Sequence, residues 1–135
     1  MQPSTNVIPP TQKILHIAMV MAPAIFLPIA HFLGSRDLLD PTIAYAAVGV
    51  GCVAAAASFF VLNLVYRGRS NSFQENLSPY LTAKLIQWAI LEGSALFNGV
   101  AYFLSGFEYS LGLALGLLLL TAYWRPRESE VMSRS

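Results

Sequence analysis

The chain has 135 residues, of which 56% are hydrophobic and only 11% charged, with a formal net charge of +1. A soluble domain carries about 25% charged residues, so this composition excludes an ordinary water-soluble globule and points to an integral membrane protein. No basic stripe runs along the chain, which excludes nucleic-acid binding.

Residues 1–13 form a polar, proline-containing stretch that reads as a flexible cytoplasmic tail. It lacks the charged n-region and the cleavage site of a secretory signal, so the apolar segment that follows reads as a retained helix. Four apolar segments then appear, at about 14–33, 43–66, 81–104 and 107–124. A span needs about 20 apolar residues, and only helices or closed barrels satisfy the backbone in lipid. These runs are continuously apolar rather than alternating, so they read as helices. Asp40-Pro41 and Ser78-Pro79 each set a capping residue before a proline, the pattern of a helix start. Gly34 and Ser105-Gly106 interrupt the pattern at the other ends. Residues 125–135 read as a second flexible cytoplasmic tail. The expected fold is all-α: a polytopic membrane protein with four transmembrane helices over 14–124, arranged as two antiparallel hairpins.

Lys13, Arg67, Arg69, Lys84, Arg125, Arg127 and Arg134 fall on one side of such a bundle, and Arg36 alone on the other. The positive-inside rule then places both termini and the 2–3 loop in the cytoplasm, as a multi-pass protein of the inner (plasma) membrane. Tyr66, Tyr80, Trp88, Tyr123 and Trp124 lie towards that side, where an aromatic belt would sit.

Helix 2 spaces small residues at Ala47, Gly51, Ala54, Ala55 and Ser58. Such a face lets backbones approach closely in lipid. Gly112 and Gly116 form a GxxxG motif in helix 4, which reads as close packing within the chain or between copies. Cys52 is the only cysteine, so no intrachain disulfide can form. Pro23 and Pro28 interrupt the hydrogen bonding of helix 1. His16 and His31 stand about 22 Å apart along that helix, at opposite membrane edges, and cannot share a metal or haem within one chain. Asn63, Gln87 and Asn98 read as interhelical hydrogen-bonding groups.

Glu92 is the outstanding polar residue. It lies in helix 3, roughly 18 Å along it from a start near Tyr80, close to the membrane midplane and facing the small-residue zone around Ala55. A carboxylate at that depth costs about 2.5–3.5 kcal/mol on insertion scales, which makes an intramembrane acid a candidate for ion or proton handling. No second membrane-embedded charge accompanies it, so transport would need a partner that supplies one. The same acid, held protonated and hydrogen-bonded, would also serve structure alone.

Two likenesses follow. Helix 1, from Ile14 to Gly34, aligns without gaps on Leu85 to Ser105, sharing Ala18/Ala89, Ala24/Ala95, Phe26/Phe97, Ala30/Ala101, Phe32/Phe103 and Leu33/Leu104. This suggests duplicated hairpins, with Met21 standing where Glu92 stands. Residues 44–104 also resemble the proteolipid subunit c of rotary ATP synthases and ATPases. The likeness rests on a Gly/Ala-rich helix, a polar loop with arginine, and Ala89-Ile-Leu-Glu92-Gly-Ser-Ala-Leu-Phe97 followed by Ala101-Tyr-Phe-Leu104. It covers about 60 of the 135 residues, with helices 1 and 4 additional. The resemblance implies that Glu92 is the ion-carrying carboxylate and that Gly49 and Gly51 belong to a ring-packing face. Gly93, without a hydroxyl, follows the acid, so a proton is the expected ion.

The sequence offers no nucleophile–base pair, metal cluster or phosphate-binding glycine loop, and implies no cofactor and no stand-alone catalysis. Two functional readings remain open. One is a c-like proteolipid, oligomeric, with a protonatable Glu92 that handles protons only with a partner. The other is a structural or assembly subunit of a larger bacterial membrane complex. The expected partners are the lipid bilayer and either further copies or other membrane subunits, with Ala47, Gly49, Gly51, Ala55, Gly112 and Gly116 as the helix-packing positions.

Overall fold

The computed structural model describes residues 7–34, 40–66 and 71–132. Five helices follow in order: α1 (Pro10–Leu33), α2 (Pro41–Val65), α3 (Phe73–Ser105), α4 (Glu108–Tyr123) and α5 (Glu128–Met132). The described residues are helical or irregular, with no strand among them. Arg36, Arg67, Arg69 and Arg134, which carry much of the sidedness argument, lie outside them.

Local chemistry explains most helix ends. Pro41 occupies the first turn of α2, where its missing N–H costs nothing. Asp40 caps it, its Oδ1 accepting from the Thr42 N–H at 2.7 Å. That bond holds the exposed Asp40 carboxyl below its ordinary range. At the end of α3, Gly106 adopts φ 68 and its N–H returns to the Tyr102 carbonyl at 2.8 Å. Only glycine enters that left-handed region freely. Ser105 completes the tight α3–α4 turn by accepting from the Phe107 N–H.

The second expected helix start is overturned. Ser78-Pro79 lies inside α3, which begins six residues before Pro79, at Phe73. Phe73, Asn76 and Tyr80 are all buried, so an i, i+3, i+7 stripe pulls these two turns onto the protein. A search for continuously apolar residues passes over such an amphipathic extension.

The packing order also differs from paired hairpins. Among the described residues α1 and α2 make no contact with each other; each packs on both α3 and α4. α3 and α4 form the central pair, with α1 and α2 on opposite flanks. Cross-helix pairs give the directions. His16–Trp88 and His31–Tyr102 run α1 parallel to α3. Gln87–Ser58 and Asn98–Ala47 run α2 antiparallel to it. Tyr45–Phe107 and Phe59–Trp124 run α2 parallel to α4.

α1 and the stretch Thr42–Val65 are long and apolar enough to cross a membrane. Only 22% and 28% of their apolar windows are buried within the protein. A core helix of a soluble protein would be mostly buried, and these turn Phe32, Leu64, Val53 and Ile14 outward. An apolar exterior of this extent suits lipid. α4 is shorter, at 16 residues.

Neither tail is loose along its described length. Ile8 and Val131 are both fully buried, in one cluster with Leu62, Tyr66, Phe73, Tyr80 and Ala83. The Tyr66 hydroxyl donates to the Val131 carbonyl. Ile8 and Val131, short apolar residues within polar stretches, thus anchor the segments before α1 and after α4 on the same end of the bundle.

Candidate functional site

α3 carries the polar residues, and its faces sort them. Gln87, Leu91, Ala95 and Asn98 recur at helical spacing and face α2. Gln87 Nε2 donates to the Ser58 carbonyl at 2.6 Å, and Asn98 Nδ2 to the Ala47 carbonyl at 2.9 Å. Each such bond is worth about 0.6 kcal/mol in measured membrane cases. Between them, Leu91 and Ala95 pack with Ala55 and Leu117. Ala47 and Gly51 are buried on the matching face of α2.

Glu92 is one position round the helix from Leu91, and it does not face the small-residue zone. Leu91 and Ala95 fill that place, and Glu92 is turned to the edge of the bundle, half-buried, between exposed Ala89 and Gly93. No described residue gives its carboxylate a hydrogen bond or an ion pair. Contacts between α1 and α3 link residues 71 to 73 apart in sequence. Glu92 therefore lies level with Val20 and Met21 of α1.

The remaining small positions behave differently. A Cβ built on Gly49, Gly112 or Gly116 would meet nothing within 4 Å. These glycines face outward, so the GxxxG motif of α4 does no close packing within the chain. The inward stripe of α4 is Ser110, Ala114, Leu117 and Thr121.

Sequence reasoning missed a second polar centre. Lys84, with a side chain 0% exposed, sets its Nζ 2.9 Å from Oε2 of Glu130 on α5. The same oxygen accepts from the Tyr80 hydroxyl at 2.9 Å. The ammonium also stands 5.1 Å from the centroid of the Trp124 ring, a favourable cation–π placement. Trp88 Nε1 donates to the Trp124 carbonyl at 2.9 Å. Tyr80, Lys84 and Trp88 are spaced i, i+4, i+8 on one helix, and that spacing was the available signal. Lys84 is thus a buried, paired cation rather than a loop charge. Tyr66, Tyr80 and Trp88 are buried inside the bundle, which leaves Tyr123 and part of Trp124 for any aromatic belt.

His16 and His31 sit at opposite ends of α1, as their spacing requires. His16 Nε2 lies 2.8 Å from the Thr121 carbonyl and His31 Nδ1 lies 2.8 Å from the Tyr102 hydroxyl. A carbonyl only accepts, so Nε2 of His16 carries the hydrogen. Among the described residues no group of three His, Cys, Asp or Glu side chains converges as a metal site would.

Burial pushes the Tyr80 phenol well above its ordinary range, opposed by the Arg127 N–H that it accepts. The folded protein therefore holds this proton more tightly than the unfolded chain does. That contribution to stability is complete below the unfolded value near 10 and drains away as pH rises beyond it. The wild-type minus Tyr80→Phe difference in tyrosinate absorbance is expected to show no step at the ordinary phenol value near 10. A step centred near 10 would show that the phenol is open to water.

No protein family, no curated protein and no solved structure matches this chain.

Proposed function

We propose that the chain is a four-span protein of the inner (plasma) membrane with both termini cytoplasmic, and that Glu92 takes up and releases a proton where the bundle meets a second membrane-embedded chain. The observation that carries this reading is the position of Glu92: about midway along α3, half-exposed at the outer edge, with no partner among the described residues. In lipid, an ionised carboxylate without a counter-charge is costly, so the proton stays on until a neighbouring chain brings a cation or water. Exposure at the edge lets such a neighbour reach it. A c-like proteolipid works on the same principle, and the resemblance of residues 44–104 supports the same role.

Oligomerisation belongs to this proposal, with a changed surface. Ala47 and Gly51 are covered by the chain's own α3 and α4, so they do not serve as a ring-packing face. Gly49, Gly112 and Gly116 are open, and copies or other membrane subunits would pack there.

The assembly-subunit reading has one observation in its favour. Gln87 and Asn98 already tie α2 to α3 without help from Glu92, which leaves the acid free to act as a docking hydrogen bond. Glu92→Gln separates the two. A carrier loses proton movement in native-membrane vesicles by tenfold or more, on the scale of losing a positioned proton-transfer group, and Glu92→Asp restores part of it. In wild-type membranes a carboxyl-directed carbodiimide modifies Glu92 more slowly as pH rises. If Glu92→Gln keeps both proton movement and complex activity, the carrier role is wrong. Loss of the assembled complex in Glu92→Gln would favour docking.

A further inference from the structure

A cavity of about 380 Å³ opens where α1 begins and α4 ends. Its wall carries Lys13, Arg125 and Arg127 together with His16, Ile17 and Glu128. Three cations thus face one carboxylate. Glu128 takes up Lys13, at 3.3 Å, and its backbone hydrogen bonding, with the Lys13 ammonium second, holds the exposed Glu128 carboxyl below its ordinary range. The Arg127 guanidinium rests 5.6 Å from the Tyr123 ring centroid. Arg125 is exposed, and no described residue gives its guanidinium a hydrogen bond or an ion pair. The His16 ring is pinned to the Thr121 carbonyl and packs on Trp88.

The position of the cavity selects its occupant. Lys13 lies in the first turn of the apolar helix α1, and Arg125 directly follows the aromatic pair Tyr123-Trp124 that closes α4. The cations therefore stand at the rim of the apolar belt, where the phosphates of a bilayer lie. Ile17, one turn along α1 and 59% exposed, continues the wall towards the belt, as an acyl chain would require. Basic pockets at helix ends on the cytoplasmic side suit anionic headgroups.

We propose that this cavity binds the phosphate of an acidic phospholipid, with Arg125 and Lys13 as its principal cations and Ile17 under the first acyl carbons. Glu128 competes with the phosphate for Lys13 and weakens the site. The proposal rests on the bundle standing in a bilayer and is independent of any role of Glu92.

The test uses the full chain, purified in detergent and freed of lipid. It is offered equal amounts of phosphatidylglycerol and phosphatidylcholine, and the retained lipid is read by native mass spectrometry. Phosphatidylglycerol is expected in excess. Arg125→Gln should cut that excess about fivefold, and adding Lys13→Gln should cut it about as much again. Glu128→Gln should raise it, a gain that a purely structural Lys13–Glu128 pair does not produce. Circular dichroism checks the fold, and Arg125→Gln alone carries the test if Lys13→Gln loses helix. An unchanged preference in Arg125→Gln overturns the site. Displacement of the lipid by inorganic phosphate at equal concentration also overturns it, by making the cavity a site for free anions. A protein that fails to enter vesicles of either lipid overturns the bilayer placement itself.

Discussion

Glu130→Ala is expected to cost about 3 kcal/mol of stability, the scale of breaking a buried ion pair by removing one partner. The reason is the asymmetry of the pair. The Lys84 side chain is 0% exposed and that of Glu130 is 18% exposed. Removing the acid strands an ammonium inside the bundle, and it also takes away the acceptor of the Tyr80 hydroxyl. Removing the lysine strands a carboxylate that water can still reach, so Lys84→Met should cost less than Glu130→Ala. Replacing both, with Lys84→Met and Glu130→Leu, should recover most of the Glu130→Ala loss, because apolar contacts then take the place of two desolvated charges and only the Tyr80 hydroxyl is left without its acceptor. Reversible unfolding in mixed micelles measures all three. Equal losses in the two single variants would refute the asymmetry.

Gly51→Ala should destabilise the bundle by about 1–3 kcal/mol, the range for overpacking a filled core. A Cβ at this position would fall within van der Waals distance of the Leu113 side chain and 2.8 Å from Asn98 Nδ2. The leucine must move, and the amide that holds α2 to α3 through the Ala47 carbonyl must move with it. Gly51→Leu should abolish the packed state. Gly49→Ala is the internal control, two residues away on the same helix with nothing within 4 Å. It should be neutral or gain up to about 1 kcal/mol from helix propensity. The same unfolding assay compares them, and equal behaviour of the two alanine variants would remove Gly51 from the packing.

How legible these features were follows from the kind of signal each leaves. Asp40-Pro41 announces α2 because a cap and a first-turn proline act locally. The small-residue face of α2 announces itself because Ala47, Gly51, Ala54 and Ser58 keep helical spacing through an apolar run. Ser78-Pro79 carries the same local chemistry and misleads. Phe73 and Tyr80 of that stripe pack in one cluster with Leu62 and Tyr66, and that tertiary contact outweighs a proline tolerated inside the helix. The position of Glu92 along α3 is readable from residue counts, but its face is not. One residue is a 100° turn, and which of Leu91 or Glu92 meets α2 depends on where Gln87 and Asn98 find their carbonyl partners. The Lys84–Glu130 pair joins residues 46 positions apart. Nothing in a single sequence says that Val131 and Ile8 will fold back and bring Glu130 within reach.

The order of packing has a consequence for how the protein is made. α1 and α2 leave the ribosome before α3 and α4, yet among the described residues they share no contact in the finished bundle. Each meets its neighbours only when α3 and then α4 arrive. Until then α1 and α2 stand as two separate helices, with His16 and the Ala47–Ser58 face still uncovered. The segment bearing Glu130 and Val131 emerges after them and closes over Lys84 beside Ile8. Packing of this bundle is thus committed by α3 and α4 rather than by the helices that precede them.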